Sequence, residues 1–177
     1  MENIYTHAPK NKNGKLTFRG TQPVELQRIL NAPVEAVWKA WSTLDMAKQW
    51  WGPKNFTCPE GTMDFREGGK YVLAMVYPDG KKVEWCAGEY LEIVPNEKIV
   101  SSDYFSDEAG SKVLPSTYGH DGQWPSECYV TVTFEELSNN RCRMSLVHEG
   151  VPKKEHDGCV QGWSQSLDKL QNLVERH

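Results

Sequence analysis

The stretch 32–53, APVEAVWKAWSTLDMAKQWWGP, carries four of the seven tryptophans and constrains the fold more than any other segment. Pro33 suits a first helical turn, where its missing N–H would be unpaired in any case. Val34, Val37, Trp38 and Trp41 then follow the i, i+3, i+4, i+7 spacing of one apolar helix stripe. Ser42 and Thr43 interrupt the stripe and suit the cap of a second, shorter helix over 44–51. Gly52-Pro53 ends it. Two short helices this rich in indole need a large concave partner.

The rest of the chain offers one. Residues 22–30 alternate Val24, Leu26, Arg28 and Leu30 against Glu25, Gln27 and Ile29, which is strand spacing leading into the helix pair. After Pro53 the period is two. Strands are expected over 56–65 (broken near 59–61), 70–77, 81–94 with a bulge or bend at Gly88, 98–105, 127–137 and 141–149. Turn residues separate them at Gly68-Gly69, Pro78-Asp79-Gly80, Pro95-Asn96-Glu97 and Ser138-Asn139-Asn140. Residues 154–176 return to helical spacing through Val160, Trp163, Leu167, Leu170 and Val174. Strands in series joined by hairpin turns predict an antiparallel sheet, and the last helix is its natural cover. The fold class is α+β. Residues 1–20 are polar and read as a flexible leader; 21–177 read as one domain.

Charge and cysteine usage exclude several function classes. A net charge of -4 and a pI near 5.8 give no general pull toward nucleic acid or an anionic membrane. No apolar run approaches the roughly 18–20 residues that span a bilayer, and the first residues lack the apolar centre of a secretory signal. A cytoplasmic location is the expectation. Five cysteines, an odd number without a C-x-x-C pair, read as reduced thiols inside strands rather than as a disulfide framework.

With these elements placed, the chain resembles the START-like superfamily, and within it the Activator of Hsp90 ATPase homologue group (AHSA-type SRPBCC domains). The resemblance rests on Ala32-Pro33-x-x-x-Val37-Trp38-x-Ala40-Trp41, Trp50-Trp51-Gly52-Pro53, Asp64-x-Arg66-x-Gly68-Gly69, the strand end 88–95 (GEYLEIVP) and Gly162-Trp163. It implies a helix-grip fold: a curved antiparallel sheet around the C-terminal helix, with a cavity between them that the two short helices close at one end. The superfamily mixes ligand carriers, cyclases and hydrolases, and the group's name adds an Hsp90-type chaperone as a conceivable partner. Fold alone does not choose among these.

The candidate site residues follow from side-chain direction. Trp51, Trp85 and Trp163 are the expected cavity walls, favouring a flat, apolar or aromatic ligand with indole N–H groups available to it. Met144 and Tyr129 complete the expected lining. His148 shares a strand phase with Met144 and Leu146. It is either a satisfied core histidine or an acid–base group working with Asp64 or Glu149. Asp64 and Arg66 share a face, as an ion pair anchoring the glycine turn or as charge toward the cavity. Trp38 and Trp41 read as packing that fixes the helix pair to the sheet. The segment 106–125 is either a surface insertion or a lid carrying Tyr118, His120 and Trp124. His156-x-x-Cys159 offers two ligands where a structural zinc wants four, so no metal site is expected. Neither a G-x-S-x-G element nor a P-loop is present, and no cofactor motif emerges. Binding of a small hydrophobic or aromatic ligand is the leading expectation, ahead of catalysis in the same cavity and of a co-chaperone role.

Overall fold

A computed structural model describes residues 18–121 and 123–176. The chain runs β1 (Val24–Leu30), α1 (Val34–Ser42), α2 (Leu44–Trp50), β2 (Gly61–Met63), β3 (Lys70–Val76), β4 (Val83–Val94), β5 (Lys98–Ser106), a 3-10 turn (Pro115–Tyr118), β6 (Cys128–Leu137), β7 (Arg141–Glu149) and α3 (His156–Val174). The seven strands form one antiparallel sheet in the order β1-β7-β6-β5-β4-β3-β2. Consecutive strands pair as hairpins except at the start. There β1 lies on one edge beside the last strand, and β2 lies on the opposite edge. The chain between them must cross the whole sheet, and α1 and α2 are that crossing.

Indole packing holds the crossing in place. Trp38 meets Phe65 and Phe134 edge-on, with ring centroids 5.7 and 5.4 Å away. Trp41 lies 4.6 Å from Trp50 and donates its Nε1–H to the Met144 sulfur at 3.2 Å. Trp50 is buried and donates to the Ala40 carbonyl at 2.9 Å, satisfying one of the acceptors a helix end leaves open. Thr43 differs from its expected role. It stands at the N-cap of α2 and its carbonyl accepts the Ala47 N–H at 2.9 Å, but its hydroxyl donates back to the Lys39 carbonyl at 2.9 Å, so the side chain serves the end of the first helix. Pro33 is the residue before α1 rather than its first.

Other boundaries shift for identifiable reasons. The strand expected over 56–65 shrinks to Gly61–Met63, with an isolated bridge from Thr57 to Val76, because Pro59 has no N–H to pair between them. The irregularity in β4 falls between Tyr90 and Glu92, not at Gly88. Gly88 matters for a different reason. A Cβ there would run into the Ser102 carbonyl and the Tyr71 hydroxyl, so the missing side chain lets Tyr71 cross the strand. The leader expectation for 1–17 lies outside the described residues. Phe18 to Gln22 are tied down, with Lys153 N–H on the Gly20 carbonyl at 3.0 Å and Gln22 N–H on the Val151 carbonyl at 2.9 Å.

The last helix grips the sheet through its second half. Leu167 and Leu170 are fully buried in the core. Arg28 on β1 reaches the Ser164 hydroxyl at 2.7 Å, and Lys169 donates to the carbonyls of Trp51 and Phe56 at 3.2 Å each. Those two bonds fix the exit of α2 against α3. Trp51 therefore has a defined position.

Candidate functional site

The first half of α3 stands off from the sheet. Glu155, Gly158, Cys159, Gly162, Trp163 and Ser166 recur at i, i+3, i+4, i+7, i+8 and i+11, one helix face, and all line a cavity of about 400 Å³. Gly158, Gly162 and Ser166 have little or no side chain, which leaves the space that large residues would fill. Opposite them β3, β4 and β5 contribute Met75, Glu84, Cys86, Asp103 and Phe105, and β7 contributes His148. Trp51, Gly52, Pro53 and Phe56 form the side next to α2.

Trp51 and Trp163 meet edge to face at 5.6 Å and 88°. Both also line a second space of about 40 Å³ deeper in the core, bounded by Trp41, Trp50, Tyr71 and Tyr90 among others. The indole pair is thus a partition. Beyond it there is room for little more than water.

The polar centre lies at Asp103 and His148. The Trp163 Nε1–H donates to His148 Nδ1 at 3.0 Å, so that nitrogen is the acceptor and the ring proton belongs on Nε2. His148 Nε2 faces Asp103 Oδ2 at 3.6 Å, outside hydrogen-bond distance, and has no partner among the described residues. Burial pushes His148 down to about 4. The bond geometry gives the same direction, because protonating Nδ1 would sacrifice the Trp163 bond. Burial pushes Asp103 up to about 6, partly offset by the Tyr71 hydroxyl, which lies 3.1 Å from Oδ1. Although Asp103 is deeply enclosed by protein, its side chain keeps 20% of its surface, and the cavity is what reaches it. Gly88, Tyr71 and Asp103 thus form one chain of support.

Three thiols also touch the cavity: Cys86, Cys128 and Cys159. Burial pushes Cys159 up to about 12 and raises the other two well above their ordinary value. All three are protonated thiols at neutral pH, and the nucleophile is the thiolate. Cys159 lies 4.0 Å from His148 Nδ1, but that nitrogen already receives the indole N–H. A cysteine–histidine nucleophile is not assembled here.

From the segment 106–125, His120, Trp124 and Pro125 reach the chamber wall. Phe105 stacks on His120 at 4.8 Å and meets Trp124 edge-on at 5.2 Å. Glu84 latches the segment. Its buried carboxylate lies 3.3 Å from His120 Nε2 and 3.2 Å from Lys82 Nζ, and accepts the Tyr77 hydroxyl. Lys82 also reaches the Tyr118 carbonyl at 2.9 Å. Burial alone would raise Glu84, but bonds from His120, Tyr77 and Lys82 outweigh it and hold the group below its ordinary value. His120 is raised by its bond to Glu84, against the opposing effect of burial.

The pH window of the latch follows from those signs. His120 contributes stability that is complete below its unfolded value near 6.5 and is lost as pH rises through its higher folded value. Glu84 contributes above its unfolded value and loses the contribution as pH falls through its lower folded one. The latch is therefore tightest in mildly acid solution. His120→Gln is expected to flatten the dependence of melting temperature on pH across the neutral range. An unchanged pH dependence in that variant would contradict the latch.

The sequence-derived candidates now separate. Trp51, Trp163 and His148 meet on the cavity wall. Trp85 touches its edge, but pairs with Ala74 and belongs to the strand phase opposite Glu84 and Cys86, so its indole is not aimed inward. Met144 is a correction: it is fully buried under the Trp41 indole and does not line the cavity. Tyr129 is a second. It is buried beside Phe18, with ring centroids 6.2 Å apart, because its neighbours Cys128 and Val130 take the inward phase. Asp64 is no partner for His148: it makes an exposed ion pair with Arg66 at 2.8 Å. Glu149 follows His148 in the strand and takes the other face. Asp103 was missed.

The fold and cavity define a helix-grip protein with an internal, largely aromatic chamber. The chain belongs to the family described as Activator of Hsp90 ATPase homolog 1-like protein, whose model matches residues 31–175. Among solved structures, a Chromobacterium violaceum protein is 30% identical, with a TM-score of 0.71 over 88% of this chain and 98% of its own. An AHSA1 protein from Silicibacter pomeroyi is 20% identical, with a TM-score of 0.68 over 86% of this chain and 97% of its own. CalU16 from Micromonospora echinospora is 19% identical, with a TM-score of 0.60 over 86% and 76%. No curated protein matches the chain. Among the described residues no helix is long and apolar enough to cross a membrane.

Proposed function

We propose that the chain binds a small hydrophobic or aromatic ligand in the chamber between the sheet and α3. The observation that carries this reading is the chamber itself. Its volume of about 400 Å³ falls in the roughly 300–1,000 Å³ range of small-molecule sites. Its walls include Trp51, Phe56, Tyr77, Phe105, Trp124 and Trp163, with few polar groups. Aromatic side chains of this kind favour flat partners through offset and edge-on contacts.

A panel of one- to three-ring aromatic compounds tests the reading. Binding should raise the melting temperature with the logarithm of ligand concentration once that exceeds the dissociation constant, and alter the tryptophan emission of Trp51 and Trp163. A panel that changes neither signal would remove the reading.

One observation favours catalysis as a second reading: a neutral imidazole beside a buried carboxyl on the chamber wall. In this arrangement Asp103, not His148, has a lone pair facing the cavity, so a proton-abstracting role passes to Asp103. The co-chaperone reading rests on the family description alone, and stimulation of an Hsp90-type ATPase is its test.

A further inference from the structure

Apart from His120, which Glu84 engages, the charged groups of the chamber are acidic. Asp103, Glu84 and Glu155 line it, while no lysine or arginine does among the described residues. Glu84 has Lys82 and His120 as counter-charges. Asp103 has none. The titratable groups that face it are Tyr71 on β3, Cys86 on β4, Cys128 on β6, His148 on β7 and Cys159 in α3, which bear on its charge or hold its carboxyl. Each is neutral at pH 7: burial raises the phenol and the thiols, and lowers the imidazole. A buried carboxylate is strongly disfavoured unless it is paired, and this one opens on the cavity.

We infer that the chamber selects a hydrophobic organic cation, an aromatic amine whose ammonium group sits against Asp103 while its rings lie among Trp51, Trp163, Phe105 and Trp124. The inference rests on the ligand-binding reading above and narrows it to one chemical class. Three features converge. The carboxylate supplies a charge-assisted hydrogen bond to N⁺–H. The surrounding ring faces are attractive to a cation desolvated beside them. The same acid groups repel carboxylate ligands such as fatty or aromatic acids. The raised value of Asp103, about 6, comes from burial and fits a carboxylate with no counter-charge beside it. An ammonium would pull it back down, so binding releases a proton below pH 6 and weakens as the solution is acidified.

Titration calorimetry with naphthylmethylammonium, naphthylmethanol and naphthoate, which share one ring system, tests the inference. At pH 7.5 the ammonium is expected to bind at least about tenfold tighter than the alcohol, as one charge-assisted bond implies, and naphthoate weakest. Asp103→Asn should bring the ammonium and the alcohol to similar affinity. In the unaltered protein the ammonium's advantage should shrink as pH falls through 6 while the alcohol's affinity holds, which serves if the variant does not fold. Glu84, Glu155 and His120 also line the chamber, so Glu155→Gln is run beside it and should lose less of the preference than Asp103→Asn does. Equal binding of alcohol and ammonium would overturn the inference and leave the aromatic-ligand reading intact. An ammonium preference surviving in Asp103→Asn would overturn the role of Asp103. If none of the three binds while other neutral rings do in the panel, the cation inference fails alone; if nothing binds at all, both fail.

Discussion

Trp50→Ala is expected to cost about 3–5 kcal/mol of folding stability, the range for emptying a fully buried aromatic site. The indole is 1% exposed, lies 4.6 Å from Trp41 and 5.7 Å from Trp51, and supplies the hydrogen bond to the Ala40 carbonyl. Its removal leaves a cavity at the junction of α1 and α2 and frees a helix-end acceptor. Because Trp51 is the next residue, the loss also loosens the partition between the chamber and the deeper space. Urea denaturation measures it. A loss under about 1 kcal/mol would mean that the helix pair is not held by this packing. Trp50→Phe keeps the ring but not the N–H, and should recover part of the stability.

Gly88→Ala is expected to be nearly as damaging, about 3 kcal/mol, at the upper end of what overpacking costs. One methyl group must displace both the Ser102 carbonyl and the Tyr71 ring, and the first is backbone. Tyr71 is buried, and its hydroxyl donates to the Ser102 carbonyl at 2.9 Å as well as lying near Asp103. The substitution therefore couples stability to the site: a folded Gly88→Ala protein should also lose its ligand preference, since Asp103 loses its orienting phenol. Chemical denaturation and ligand titration on one sample give both numbers. Unchanged stability would show that the sheet relaxes freely there.

The two periodicities of the chain made most of this architecture legible. Alternation in 22–30 and in the later strands, and the 3-4-3-4 stripe of the last helix, lead directly to the sheet and its cover. The division of the tryptophans was also readable, since Trp38 and Trp41 share one helix face while Trp51 stands at the helix exit. Three things were not. Thr43 could cap either helix, and only the angle between them decides. Met144 shares a strand phase with His148, but phase fixes direction and not depth. It lies beneath α1 while His148 lies under the recessed part of α3. Asp103 was hidden for a third reason. An aspartate near a strand end reads as a solvated residue until the sheet order places β5 centrally, between β4 and β6. The signals that point to it were present as the inward alternation Ile99, Ser101, Asp103, Phe105 and as the small residues Gly158, Gly162 and Ser166 at four-residue intervals.

Those small residues also give the most direct measurement of whether the chamber is a binding site. At Gly162 an added Cβ meets only the Pro53 ring, at the ordinary contact distance of 3.6 Å, and a helix interior prefers any such residue to glycine. Gly162→Phe should therefore fold with a melting temperature close to that of the unaltered protein while its ring occupies the chamber beside Trp163. Measured with the tightest-binding aromatic compound of the panel, the ligand-induced rise in melting temperature is expected to disappear in this variant. A folded Gly162→Phe protein that shows the same rise would place the ligand elsewhere and contradict the account.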